Sequence, residues 1–453
     1  MRNLLRRLHG TAVMAFHMVD QRRVCHAPSE QLRAVCDGRL RRIVRHAADS
    51  VPYYQQLFRT QAIDPEDIWS VEDLDRLPLI DKYAVRQQPE LFLSTSRFGR
   101  TAIPLTSSGS TGVPLRVYWD RGAYLQSLAY RMREREVIAN ILGRSLGYSE
   151  IAVTYPESAG DRAAKWEQDN TFMPQGAHHM RLSLLDPTES IVAAINAHRP
   201  DVLKGYGSYL EALFRTVSAR SIPMHAPKVV VYFSDGMSEG GRRLVRERFG
   251  ARVIARYSAV EACRLGFTCE EGKVYHLHAD LTHVRIIDAH GRRLPCGEEG
   301  EIVISNLVNR GMVLLNYRLE DTGSLSSKPC PCGRTLPLLT NLTGRSHDTL
   351  ELMDGQFVPP ARIWRVFKAR FDALDNRVIQ YQLVQHSREH FELRLATLGR
   401  ETFAQVVPEL LAELSLVLGK PASIEATYYP DRLPVPAGGK VRTIMSLLTP
   451  EGD

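Results

Sequence analysis

Between Glu150 and Tyr257 the chain repeats one pattern: a short apolar run, a turn, then an amphipathic stretch with helical spacing. The runs are Glu150-Ile151-Ala152-Val153-Thr154-Tyr155, Asp201-Val202-Leu203-Lys204-Gly205-Tyr206-Gly207, which opens a helix, and Lys228-Val229-Val230-Val231-Tyr232-Phe233. Ser234-Asp235-Gly236 then turns the chain, Glu239 to Phe249 is predicted helical, and Ala251 to Tyr257 is extended again. Strand, turn and helix repeated in this way restrict the chain to an α/β body, with ligands expected where the strands end.

The flanks differ in character. Upstream, Leu32, Val35, Leu40, Ile43, Val44 and Ala47 have helical spacing, which predicts a helical portion from Gln31 to Phe58 closed by Val51-Pro52-Tyr53-Tyr54. Downstream, Val284-Arg285-Ile286-Ile287-Asp288, a turn at Gly291 and Gly300-Glu301-Ile302-Val303-Ile304-Ser305 read as strands of a β-rich portion. Beyond Gly344 a small α+β unit is predicted, with strands near Val378–Val384 and Phe391–Leu395, a helix over Glu401–Leu418 and a strand at Ser423–Tyr429. A chain of 453 residues exceeds one ordinary core, so two or three compact units are expected.

The formal charge of +7 suits a nucleotide, a nucleic acid or an anionic membrane face, and does not choose among them. No basic tract is interleaved with aromatics, so no nucleic-acid partner is expected. The alternating Leu and Arg of the first segment suit a membrane surface, although a solvated first helix is the commoner outcome. The opening residues do not read as a secretory signal, and no apolar stretch is long enough for a transmembrane helix. With seven cysteines, an odd number in a large charged chain, a reducing, cytoplasmic setting is expected.

Thr106-Ser107-Ser108-Gly109-Ser110-Thr111-Gly112 lies between two strand-like runs, the second being Leu115-Arg116-Val117-Tyr118-Trp119. Glycines let the backbone turn several N–H groups toward one point, and hydroxyls add donors, a combination that suits polyphosphate oxygens. The composition also fits a flexible connector. No Gly-Lys-Ser/Thr ends the loop, so it is not a Walker loop.

Four further pieces follow in order: Tyr257-Ser258-Ala259-Val260-Glu261, Asn316-Tyr317-Arg318-Leu319-Glu320-Asp321-Thr322-Gly323, Gly344-Arg345-Ser346-His347-Asp348 and Ala437-Gly438-Gly439-Lys440-Val441-Arg442. Singly, each reads as a turn, a packed aromatic or a surface charge. Together they resemble the adenylate-forming enzymes, and within them the phenylacetate–CoA ligase-like branch with its capsular-polysaccharide-type members. Ala47-Ala48-Asp49-Ser50-Val51-Pro52-Tyr53-Tyr54 is similar to that branch's N-terminal signature, so the resemblance spans nearly the whole chain.

The resemblance implies a large multi-layer N-terminal adenylation domain over 1–343, with a β-rich portion, a hinge at 344–348 and a small mobile α+β domain over 349–453. It implies a two-step reaction in which a carboxylic acid and ATP give acyl-adenylate and pyrophosphate, and a thiol then takes the acyl group. On this resemblance Ser107, Ser108, Gly109, Ser110, Thr111 and Gly112 would hold the β- and γ-phosphates and Glu261 a Mg²⁺ ion. Tyr257 and Ser258 would lie along the nucleotide, with Tyr257 against the adenine or the acyl pocket. Asp321 would take the ribose hydroxyls, assisted by Arg345. Asp348 matches the hinge acid. Lys440 would be the mobile cation that bridges carboxylate and α-phosphate, then leaves as the small domain rotates. Tyr206, Tyr232, Ser234 and Ala259 would line the acyl pocket, an aromatic slot suited to a flat acid.

Two departures bear on the substrate. Gly112 is followed by Val113-Pro114 where the family often has Lys, and Ser234-Asp235-Gly236 replaces a Glu-containing turn of the phenylacetate-activating relatives.

Cys330-Pro331-Cys332 is a tight pair, and six residues separate Cys269 from His276. Thiolate and imidazole suit zinc in a closed four-ligand site, but the spacing equally fits ordinary reduced thiols and a buried His. The resemblance implies a structural zinc site of Cys269, His276, Cys330 and Cys332, with His278 as substitute if His276 points away. The remaining cysteines show no partner spacing, and no catalytic His is expected.

The expected activity is therefore that of an AMP-forming acid–thiol ligase acting on an aromatic or small acid, with coenzyme A as co-substrate. Transfer to an amine, a hydroxyl or a carrier protein is the alternative, and a non-catalytic nucleotide-binding protein the remote one. A homodimer is the common outcome for such soluble enzymes.

Overall fold

The computed structural model describes residues 2–106, 115–156, 159–173, 179–219, 221–234, 236–237, 239–343, 350–358, 362–363, 365–367, 378–397, 399–419, 421–430, 433 and 443–448. The Gly/Ser loop from Ser107 to Gly112, the hinge with Arg345 and Asp348, and Lys440 lie outside these residues.

The predicted α/β body is a parallel sheet. Strands β3 (Glu150–Thr154), β4 (His179–Ser183), β5 (Val202–Tyr206), β6 (Val229–Phe233) and β7 (Arg252–Tyr257) run parallel in the order β4-β3-β5-β6-β7. Runs such as Val229-Val230-Val231 are buried on both faces because helices cover both sides of the sheet, as parallel strands require. From β7 the sheet continues antiparallel through β8 (Gly266–Thr268), β9 (Tyr275–Leu277), β13 (Leu338–Thr343), β12 (Tyr317–Ser326), β11 (Gly300–Asn306) and β10 (Thr282–Ile287), giving eleven strands in all. The β-rich portion is thus one edge of the same sheet.

A short antiparallel hairpin, β1 (Ile103–Thr106) with β2 (Arg116–Trp119), flanks the Gly/Ser loop. Beyond a small pair, β14 (Leu350–Glu351) and β15 (Phe357–Val358), the C-terminal unit carries β16 (Val378–Gln385), β17 (His390–Thr397), β18 (Ser423–Tyr429) and β19 (Ile444–Ser446) in the order β18-β17-β16-β19. The helix Arg400–Leu418 is the crossover between parallel β17 and β18 and buries Val406, Leu410 and Leu414.

Four helices open the chain: α1 (Arg2–Met18), α2 (Gln21–Cys25), α3 (Ser29–Ser50) and α4 (Pro52–Thr60). The single helical portion expected over 31–58 is therefore two helices. Val51 is extended (φ −119°, ψ 115°) because a following proline disfavours the α region, and Pro52 starts the second helix at a position where its missing N–H costs nothing. Leu32, Leu40, Ile43, Val44 and Ala47 face the core as their spacing predicts, whereas Val35 is exposed and Cys36 takes its place. Among the described residues no helix is long and apolar enough to cross a membrane.

Candidate active site

Three segments meet at the ends of the parallel strands and are knit by bonds from side chains to backbone. The loop after β7 begins at Tyr257 and turns back so that Tyr257 pairs with Gly266 of β8. The Trp119 indole on β2 donates to the Val260 carbonyl at 2.8 Å, tying the hairpin that bears the Gly/Ser loop to the Tyr257–Glu261 segment. Asp120 caps the helix Arg121–Ala129 through the Ala123 N–H and also accepts from the Arg310 N–H, while Asn309 donates to the Tyr118 carbonyl. Asn306 donates to the Glu261 carbonyl at 3.0 Å. Apart from the local Asp120–Ala123 cap, these bonds cross between segments far apart in sequence, so tertiary contacts hold the loops together.

Asp321 reaches this place through an irregularity in β12. Arg318 pairs with Val303 and Thr322 with Glu301, so three residues of β12 stand opposite one of β11, and Glu320 takes a left-handed backbone (φ +61°). Such a bulge re-aims a side chain. The Tyr257 hydroxyl donates to Asp321 Oδ2 at 2.8 Å, and both residues are buried. Glu261 is also buried; the Tyr317 hydroxyl donates to its Oε1 at 3.1 Å, and its Oε2 has no partner among the described residues. A buried carboxylate with one oxygen engaged and one available fits a hard cation such as Mg²⁺.

The tyrosines expected to share an acyl slot do not share a face. In the ladder Tyr206 is opposite Phe233 and Gly205 is opposite Tyr232, so Tyr206 and Tyr232 leave opposite sides of the sheet. The Tyr232 hydroxyl accepts from Arg242 at 3.1 Å and pairs with Tyr275, whose ring meets that of Tyr257 at 6.0 Å. Tyr232 thus belongs with the Tyr257–Asp321 side. On the other face Tyr206 meets Phe233 (5.8 Å between rings), and the Arg256 guanidinium lies 5.1 Å from the Phe233 ring. Ala259 is buried, and Ser234 has a left-handed backbone (φ +71°) at the strand end.

Two buried charge clusters beneath Tyr206 and Phe233 escaped the sequence reading. Arg256 grips Glu134 with two bonds of 2.6 Å. Burial raises the Glu134 carboxyl, but the Arg256 charge outweighs it and holds the group at about 2. Lys204 meets Glu150 at 2.6 Å, and His179 meets the other Glu150 oxygen at 2.9 Å. Burial opposes the Glu150 charge, yet the bonds from His179 and Lys204 keep its carboxyl far below the ordinary range. The available signal was a charged residue inside a run that otherwise reads as a buried strand: Glu150, Lys204 and Arg256 all stand in parallel strands.

The four predicted zinc ligands come together. Their ligand atoms all lie within 4.8 Å of one another, with Cys269 Sγ 3.6 Å from Cys330 Sγ and Cys332 Sγ 3.5 Å from His276 Nε2. Tetrahedral zinc with bonds of about 2.0–2.3 Å puts its ligands roughly 3.5–3.8 Å apart, so the cluster fits the ion. Burial, helped by the charge of Arg334, lowers His276 to about 4, which keeps the imidazole neutral as a metal ligand requires. His278 is instead engaged by Arg133, which also grips Asp280, so His276 alone of the two faces the thiols. The turn after Cys330 is clamped to the N-terminal helices: the Thr335 N–H donates to the Cys25 carbonyl at 2.9 Å, and His26 Nδ1 lies 3.2 Å from the Gly333 carbonyl.

No family model matches the chain. It is 25% identical to the phenylacetate–coenzyme A ligase of Thermus thermophilus, over 93% of this chain and 97% of that protein. It is 26% identical to the enzyme of the same name from Aromatoleum evansii, over 72% of each. Among solved structures, 2-hydroxyisobutyryl-CoA ligase with 2-HIB-AMP and CoA in the thioesterification state superposes with a TM-score of 0.61 at 18% identity, covering 94% of this chain and 91% of that one. The same ligase in its postadenylation state gives 0.58 at 17%, with the same coverage. The structural likeness carries the α/β fold, with its large N-terminal and small C-terminal parts, and the Thermus relative matches almost end to end. On these grounds the chain is similar to phenylacetate–CoA ligases over most of its length and shares the fold of the 2-hydroxyisobutyryl-CoA ligase structures.

Proposed function

We propose that this protein activates a carboxylic acid with ATP, releasing pyrophosphate, and passes the acyl group to coenzyme A with release of AMP. The observation that carries the reading is the Tyr257–Asp321 bond at the strand ends, beside a Glu261 held by Tyr317, in a chain that aligns along its length with acid–CoA ligases.

In the first half reaction a carboxylate oxygen attacks the α-phosphorus and the bond to pyrophosphate breaks. Two anions must approach, so fixed donors and cations have to offset their repulsion. Asp321, with one oxygen fixed by Tyr257, is oriented to accept from ribose hydroxyls. Glu261 would hold Mg²⁺ through Oε2, and that ion would neutralise charge on the phosphates. Ser107 to Gly112 would cradle the phosphates from the hairpin that Trp119 ties to Val260. Lys440 would bridge carboxylate and α-phosphate, and Asp348 would mark the turning point of the small domain. In the second half reaction the thiolate sulfur attacks the acyl carbon and AMP departs.

The acid would lie on the Tyr206–Phe233 face, with Ala259 at its mouth and the Arg256–Glu134 pair beneath. That lining favours a small or aromatic acid. Cys269, His276, Cys330 and Cys332 would hold a structural Zn²⁺ that braces the turn against α2. The test is pyrophosphate release with Mg²⁺-ATP across a panel of aryl and short aliphatic acids, without and with CoA. Release for some acids with a CoA-dependent thioester product supports the proposal; silence across the panel with nucleotide binding intact overturns it.

A further inference from the structure

Helix α1 presents two unlike faces. On one, Gly10 lies so close to the Asn170 carbonyl that a Cβ there would stand 2.1 Å from the oxygen, Met14 is fully buried, and Thr11 accepts from the Phe172 N–H. On the other, Leu4, Leu5, Leu8, Phe16 and the adjoining Val19 are between 51 and 78% exposed. At 100° per residue these five fall within an arc of about 120°, a stripe some 22 Å long on the exposed side of the helix.

The charge around this stripe is one-sided. Residues 1–50 hold ten arginines, no lysine and four acids, a formal +6 out of +7 for the whole chain, and the first acid is Asp20. Arg22, Arg33 and Arg45 meet carboxylates, whereas Arg6 and Arg7 donate to the carbonyls of Asp169 and Thr171 on the packed side of the helix and meet no carboxylate among the described residues. Arg23 has no ion pair among the described residues. Where the stripe ends at Val19, an open hollow is lined by Arg22, Arg23 and His26.

We propose that α1 is a docking surface for an anionic lipid bilayer. Its leucines and Phe16 enter the headgroup boundary, and the hollow by Arg22 and Arg23 receives a lipid phosphate. An exposed apolar stripe that ends at Arg22 and Arg23, in the most basic part of the chain, fits an anionic bilayer surface, because long basic side chains extend to the headgroups while the apolar ones sink between them.

The test uses the full chain with sedimented vesicles of phosphatidylcholine alone and of phosphatidylcholine mixed with phosphatidylglycerol. The protein pellets with the anionic vesicles and is released by salt. The double substitution Leu8→Glu with Phe16→Glu lowers the partition coefficient by at least about tenfold, and Arg23→Glu lowers it about fivefold or more. Far-UV circular dichroism checks that these exposed changes leave the fold intact. Equal uptake by both vesicle types, or unaltered uptake of the double variant, overturns the proposal. So does a concentration-dependent dimer that the double variant abolishes while no vesicle binds, since the stripe would then belong to a second copy of the chain.

Discussion

The hydroxyl of Tyr257 and the carboxylate of Asp321, 64 residues apart, are joined by a 2.8 Å hydrogen bond in a buried setting. One residue ends a parallel strand and the other sits in a bulge of an antiparallel one, so the bond spans the change of character within the sheet. Tyr257→Phe removes the donor and leaves Asp321 less firmly oriented. The KM for ATP is expected to rise roughly tenfold, equivalent to about 1.4 kcal/mol, with kcat changed less. Steady-state pyrophosphate release measures this, and an unchanged KM would remove Asp321's orientation from the account.

Glu134 and Arg256 are a buried pair whose disruption strands a charge. Arg256→Met is expected to cost about 3–5 kcal/mol, and adding Glu134→Leu to restore much of it. Urea unfolding of both variants reads this, and a double variant no better than the single one would count against it.

The same pair predicts an acid limit. The Glu134 carboxyl is lowered from 4.5 to about 2 on folding, so its contribution is present above the unfolded value and is lost as pH falls from about 4.5 toward 2. Stability measured against pH should fall more steeply through that window in the parent than in the Arg256→Met, Glu134→Leu double variant. Parallel curves would contradict the assignment.

Cys332→Ser should strip the cysteine–histidine cluster of a ligand. One equivalent of zinc by elemental analysis is expected in the parent and little in the variant. Because Thr335 and Gly333 hold the Cys25–His26 corner, cleavage by a protease should also quicken between α2 and α3. A metal-free parent of full stability would refute the site.

Lys440→Ala is expected to abolish adenylate formation yet keep much of the thioester-forming rate when acyl-adenylate is supplied. Equal loss in both halves would sink the role of a mobile bridging cation.

Much of the fold could be read along the chain because its signals are local. The helix Glu239–Phe249 has the bounds that its spacing predicts, and β6 and the crossover helix Arg400–Leu418 agree to within a residue. At Pro52 the helical spacing runs through a break, since the proline that stops one helix also starts the next. The cysteine and histidine cluster was legible through its spacing and the family resemblance. What was not legible is cross-chain. Arg256 and Glu134 are 122 residues apart, and no periodicity announces that they will meet. The separation of Tyr206 from Tyr232 depends on the offset between β5 and β6, which only the folded ladder reveals.

The irregularity that carries Asp321 sets three residues of β12 against one of β11, an excess of two. An even excess slides the strand along its neighbour without turning it over, so Leu325 and its companions keep their sides of the sheet. Removing one residue between Arg318 and Thr322 would reverse every side chain on one flank and threaten the fold. Removing two would spare the packing and displace only the acid. Within this sheet the location of the Asp321 carboxylate can therefore be retuned by evolution in steps of two residues, and is closed to steps of one.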